Sequence, residues 1–343
     1  MPRIGTVIRD VYRRPGADAV PGHLESRYGI HVENVTALDR GVLRVDRRDG
    51  TPWVARAHVL GRPLSRAEGD AEILRLLADA GFPAERCAHA EPVSEFDGRA
   101  VVVTEFVPGK PWPDTAEARR ELGAMLGRMH ALPLGGTAAT RPAGSLHHLP
   151  DYEGLPGQDI AAAAAMLADL DGRVPPEHRE THEALTALLS KADDASGLPE
   201  AFLHPDTASV NAISGPDGLV LVDWTGAGRG PRLASLSMLL HSAGPKNVAD
   251  VLSGYAQHQQ LTEEERDRLE GVLWIRPLWL AAWQCWLAVV TSRGRTFVPG
   301  AARIAALASA TRAAVSGSGQ AQLAEPDTLK FSAEQNGTIP AGN

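Results

Sequence analysis

Apolar positions in the first hundred residues form short runs broken by turn signals, whereas after Pro113 they recur every three or four residues. That change of spacing predicts a small sheet-rich region followed by a larger helical one. The segment 36–58 holds two apolar runs separated by Arg48-Asp49-Gly50-Thr51, a hairpin pattern. Ile73, Leu74, Leu76 and Leu77 then give one helix an apolar face, and Gly81 and Pro83 stop it. The β-branched run ending at Val107 reads as a buried strand, closed by Pro108-Gly109.

Beyond Pro113, Asp114 or Thr115 can cap a helix carrying Leu122, Met125, Leu126 and Met129 on one side. The Gly/Thr/Pro-rich stretch 135–156 reads as loop, and helical spacing returns over 159–170 and 177–191. Short apolar strands near Phe202 and over Leu219–Val222 interrupt the helices, which then continue to about Val315. The expected fold class is α+β and bilobal. An antiparallel-sheet lobe spans 1–107, a helical lobe spans 108–316, and a polar, aperiodic tail, expected to be flexible, spans 317–343.

Composition changes this picture little. Apolar residues at 43% and charged residues at 22% are ordinary for a globular chain, and the net charge of −8 does not favour a nucleic acid partner. Only Cys87 and Cys285 are present, so no disulfide framework is implied and a reducing cytoplasm is the natural setting. The N-terminal stretch lacks the long apolar core of a signal peptide. The most apolar run, Leu278–Val290, is too short to cross a bilayer of roughly 30 Å and reads as a buried helix, so no membrane partner is expected.

The chemistry concentrates in 203–228. His204-Pro205-Asp206 follows an apolar strand, Asn211 stands five residues after Asp206, and Asp223 ends a second apolar strand. Phosphoryl transfer asks little covalent chemistry of a protein. It needs a carboxylate to orient a hydroxyl and accept its proton, and oxygen ligands for magnesium on the phosphates. Asp206 can serve as the first, Asn211 and Asp223 as the second.

This set resembles the aminoglycoside phosphotransferase family, relatives of protein kinases, in which His-Gly-Asp, an Asn five residues on, and a strand ending in Asp-Phe or Asp-Trp recur. Here the matching residues are His204-Pro205-Asp206, Asn211 and Asp223-Trp224. The resemblance runs from about residue 35 to 315 and implies a protein-kinase-like fold. It implies Asp206 as catalytic base, His204 bracing the catalytic loop, and Asn211 and Asp223 as Mg2+ ligands for ATP or GTP. It further implies Arg56 on the third strand as the phosphate grip, paired with Asp70 or Glu72 on the next helix. Gly41 lies in the phosphate-covering turn, Thr104 behind the purine, and the backbone of Glu105 and Val107 against its edge. Ser235 stands near the position where the family carries an Asp that braces the catalytic loop.

The acceptor is expected to be a small-molecule hydroxyl compound bound in the helical lobe. Asp151 and Glu153 are candidates to hold it, with Asp159 and the Glu263-Glu264-Glu265 run also considered; the last reads first as a helix N-terminus. Trp279, Trp283 and Trp286 share one helix face and read as core, with an aromatic acceptor wall as the other reading. Two rivals stay open: a kinase acting on Ser or Thr of a natural-product precursor peptide with a partner lyase, and a pseudokinase scaffold.

Overall fold

In the computed structural model, residues 19–39, 41–60, 62–133, 135–144, 156–292 and 294–322 are described. The described residues open with helix α1 (Val20–Tyr28), followed by β1 (Val32–Asp39), β2 (Val42–Arg47) and β3 (Trp53–Ala57). Helix α2 (Leu64–Asp79) precedes β4 (Val93–Phe96) and β5 (Arg99–Glu105). The five strands form one antiparallel sheet in the order β1-β2-β3-β5-β4. Inward positions Leu43, Val45, Trp53, Val101 and Val103 pack with Val20 and Leu24 of α1. The sequence pattern predicts a single helix in this lobe, and α1 is a second. Its sole buried residues are Val20 and Leu24, too few apolar positions to announce nine residues of helix.

From β5 the chain crosses to β6 (Lys110–Pro111), which pairs with β8 (Ala212–Gly215), itself hairpinned to β9 (Gly218–Leu221). The connector therefore lies directly against the segment that carries the chemistry. A Cβ at Gly109 would sit 2.4 Å from the Ser214 carbonyl oxygen, so only glycine permits this approach. Helices α3 (Ala116–His130), α4 (Gly136–Thr140), α5 (Pro156–Leu170) and α6 (Pro176–Leu188) follow. The stretch read as loop over 135–156 thus contains a short helix, α4, and α5 starts three residues before the expected 159.

Strand β7 (Glu200–Leu203) pairs with β10 (Gly228–Pro231), bracketing the β8–β9 hairpin. The described residues close with α7 (Arg232–Ala243), α8 (Val248–Tyr255), α9 (Glu263–Thr291) and α10 (Ala301–Gln322). Thr262 and Glu265 form a capping box on α9, which accounts for the acidic run as a helix start. Glu265 is also fully buried and holds Arg232 through both oxygens, at 2.8 and 2.7 Å. Among the described residues α9 is the one helix long and apolar enough to cross a membrane, but 67% of its most apolar window is buried in the protein. Helix α10 runs to Gln322, past the expected boundary at 316; residues 323–343 lie outside those described.

His130 ends α3 inside the core, its Nδ1 2.9 Å from the Tyr255 hydroxyl. Burial, reinforced by the Arg232 charge, lowers its pKa from 6.5 to about 3. Between those pH values the unfolded chain binds the extra proton, so stability is full above the unfolded pKa and falls as the medium is acidified. Urea midpoints should drop by the equivalent of about 2 kcal/mol per such histidine from pH 7 to pH 5. His130→Gln should flatten that slope; an unchanged slope would show that His130 is not buried neutral.

Candidate active site

Strand β7 delivers His204, and the chain turns at once through Pro205 into Asp206. The backbone N–H of Asp206 donates to His204 Nδ1 at 3.1 Å, and His204 Nε2–H donates to the Val222 carbonyl at 3.0 Å. This fixes the neutral tautomer. Burial also lowers the imidazole pKa, against the opposing pull of Asp223 and Asp206. With both nitrogens on backbone and its ring edge-on to Trp224, His204 ties the loop to the end of β9. Pro205 costs this arrangement nothing, because the bond that closes the turn comes from the N–H of position 206.

Asn211 Nδ2 donates to the Asp206 carbonyl at 2.8 Å and reaches Asp206 Oδ2 at 3.4 Å. Both partners are acceptors, so the amide NH2 is committed and Oδ1 is left as the donor atom for a cation. Val222 N–H in turn bonds the Asn211 carbonyl at 2.9 Å. Asp206, Asn211 and Asp223 are thus held around one histidine by short backbone links. Thr207 and Ser235 hydroxyls lie 2.9 Å apart, which ties α7 to the loop that carries Asp206.

Arg56 departs from expectation in its partners. Its guanidinium lies 3.3 Å from Asp223 Oδ1 and 3.9 Å from Glu85 Oε1, and it forms no ion pair with Asp70 or Glu72. Burial disfavours the charge, but the negative charges of Asp223 and Glu85, with those of Asp70 and Asp39, together outweigh this and raise the pKa. Glu85, 4% exposed, also accepts from the backbone N–H of Asp223 at 2.8 Å, from Trp224 N–H at 3.4 Å, and from the Thr104 hydroxyl at 3.0 Å. Asp223 adopts φ 67°, a left-handed conformation that Asp tolerates, and this accompanies the bond from its N–H to Glu85.

Asp70 is occupied elsewhere. It accepts from Arg62 at 2.6 Å, from Arg141, and from Gly226 N–H at 3.1 Å. The buried carboxylate therefore latches α2 to the loop that follows Asp223. Glu72 lies on the surface and bonds the Thr137 hydroxyl at 2.5 Å. The expected pairing of Arg56 with either acid is corrected on this ground: Glu85, beyond the end of α2, takes the position. A lone acid in Phe-Pro-Ala-Glu-Arg-Cys, directly after the apolar Phe82 and Ala84, was the available sequence signal.

Gly41 has φ 68° in the tight turn joining β1 and β2, and its carbonyl accepts from Ala57 N–H at 2.7 Å. The turn thus lies alongside the end of the strand that carries Arg56. Thr104 is buried with its hydroxyl on Glu85, Glu105 N–H donates to the Arg86 carbonyl at 2.8 Å, and Val107 follows in the connector. Asp151, Glu153, His147 and His148 lie outside the described residues. Asp159 lines a small cavity of about 40 Å³ together with His204, Pro205, Ser235 and Arg276. Trp286 is core and donates to Asp169 at 3.0 Å; Trp279 stacks on Trp283 at 5.7 Å. Sequence reading passed over Arg276, whose Nη2 lies 3.4 Å from Asp206 Oδ1. A single cation inside the apolar stretch 272–290 was its signal.

A five-stranded antiparallel sheet joined through a short connector to a helical lobe, with this loop-and-hairpin site below it, defines the protein-kinase-like phosphotransferase fold. The chain belongs to the phosphotransferase enzyme family, whose model matches residues 35–272. It is accordingly an enzyme of the transferase class. By sequence, no curated protein matches. Among solved structures, spectinomycin phosphotransferase in complex with ADP and spectinomycin is similar at 12% identity, covering 87% of this chain and 94% of its own, with a TM-score of 0.60. An amicoumacin kinase in complex with AMP-PNP, Ca2+ and its antibiotic is similar at 16% identity, with 90% and 96% covered and a TM-score of 0.57. Choline kinase from Streptococcus pneumoniae is similar at 14% identity, with 88% and 98% covered and a TM-score of 0.55. These likenesses establish the fold.

Proposed function

We propose that this enzyme transfers the γ-phosphate of ATP or GTP, with Mg2+, to a hydroxyl of a small molecule. The observation that carries the reading is the set of links that hold Asp206, Asn211 and Asp223 around His204, with Arg56 on Asp223. Asp206 is the base that orients the hydroxyl and takes its proton, and Arg56 grips phosphate oxygens in a forked manner. The backbone of Glu105 and Val107 faces the purine edge. Asn211 Oδ1 and the half-exposed Asp223 carboxylate are hard oxygen donors, and no cluster of three or more His, Cys, Asp or Glu exists among the described residues. A small protein donor set of this kind suits magnesium, which keeps waters and phosphate oxygens as its remaining ligands. Bound with the triphosphate, the cation supplies charge neutralisation at the phosphate oxygens.

The small-molecule acceptor draws support from the neighbours, which are named for spectinomycin, amicoumacin and choline. A thermal melt with ATP and MgCl2 tests the reading together with a coupled assay of ADP release. At a nucleotide concentration 100-fold above Kd, stabilisation of about 2.7 kcal/mol is expected. Slow ADP release should also be seen, and chelation with EDTA should remove both effects. No shift and no ADP at millimolar nucleotide would point instead to a scaffold.

A further inference from the structure

Arg276 and Trp279 stand one turn apart on α9, with the Arg276 guanidinium carbon 4.9 Å from the Trp279 ring centre. The Nη2 edge of Arg276 is turned to Asp206 Oδ1 at 3.4 Å, but its Nη1 is buried and has no hydrogen-bond partner. Trp279 is 8% exposed, and its Nε1 is likewise buried and unpartnered. Both groups can only donate, and buried donors without acceptors are costly to maintain. Two such donors, one of them on a cation, call for an oxygen acceptor with negative charge. Arg276 lines an adjoining cavity with Asp159, Ser235 and Ser237, which gives room for a small group beside the loop that carries Asp206, and Trp279 lies behind Arg276 as its ring neighbour on α9.

We propose that Arg276 Nη1 and Trp279 Nε1 form an oxyanion subsite beside Asp206, matched to the carboxylate of a hydroxy-acid acceptor or to the phosphoryl group in transfer. The inference rests on the reading of Asp206 as the transfer base. It adds a cationic contact to the acidic candidates Asp151, Glu153 and Asp159 named from the sequence, because the cation nearest the base here belongs to the protein. Asp206 stays on one edge of the guanidinium while the ligand oxygen takes the other. A short hydroxy acid can then place its alcohol at Asp206 and its carboxylate on Nη1 and Nε1. Arg276 positions and selects in this scheme and exchanges no proton.

The test reads binding, so it does not depend on turnover. The Trp279 indole N–H resonance is assigned by its loss in Trp279→Phe, and the full chain is titrated with 4-hydroxybutyrate, with its neutral amide, and with AMP-PNP and Mg2+. A shift with the acid and not the amide, weakened about tenfold in Arg276→Gln and recovered in some measure by Arg276→Lys, assigns the subsite to the acceptor. A shift with AMP-PNP alone, lost in Arg276→Gln, assigns it to the phosphoryl group. If the resonance stays put with every ligand while nucleotide still stabilises the fold, the subsite is overturned and the transferase reading stands. Wild-type titration decides the matter even if Arg276→Gln fails to fold.

Discussion

Asp206→Asn should lower kcat by about 10²- to 10⁴-fold, the usual contribution of a positioned general base. Stability should change little. The links that shape the loop use the Asp206 backbone: its N–H on His204 Nδ1 and its carbonyl on Asn211 Nδ2. The side chain contributes the long contacts to Asn211 and Arg276, both at 3.4 Å. An isosteric amide keeps the shape and removes the proton acceptor. Nucleotide affinity, read by thermal shift, should therefore be retained while ADP release with an acceptor collapses. Turnover within threefold of wild type would remove Asp206 from the role of base.

The second large effect is expected at a residue that need not touch either substrate. Glu85→Ala should cost about 3–5 kcal/mol of stability, the range for breaking a buried charge pair from one side. Four groups lose their acceptor or partner together: the N–H groups of Asp223 and Trp224, the Thr104 hydroxyl, and Arg56. Against a total stability of ordinarily 5–15 kcal/mol, the loss is a large fraction. Glu85→Gln keeps an acceptor oxygen and leaves Asp223 to balance Arg56, so its cost should be clearly smaller. Urea unfolding of both variants checks the ordering. Equal midpoints for Glu85→Ala and wild type would mean the carboxylate does not hold the two lobes' elements together. Whatever Glu85→Ala folds should also bind nucleotide less well, because Asp223 and Arg56 lose their common support.

The candidate site was legible to different depths. Asp206 and Asn211 lie on the loop between β7 and β8 and Asp223 follows β9, all in unbroken sequence, so spacing and apolar patterning were enough to nominate them. The Arg48–Thr51 turn and the buried strand were readable for the same local reason, although the strand read to Val107 ends at Glu105. Helix α1 was not, since two buried residues do not make a periodic pattern. The roles of Asp70 and Glu72 were misread because spacing along α2 cannot say which basic group a carboxylate meets across space. Asp70 met Arg62, Arg141 and the backbone of Gly226.

What the sequence by itself determined is therefore the local chemistry: a strand–loop–hairpin bearing two carboxylates and an amide, within a chain patterned for a sheet and then helices. Only the tertiary structure decided the partners. Glu85 and Asp223 meet from 138 residues apart, and Arg276 meets Asp206 from 70. The physical reason is that local spacing fixes which residues share an element. Which charges end up together is settled when elements pack, because a buried charge must find an opposite charge or donor wherever the fold supplies one.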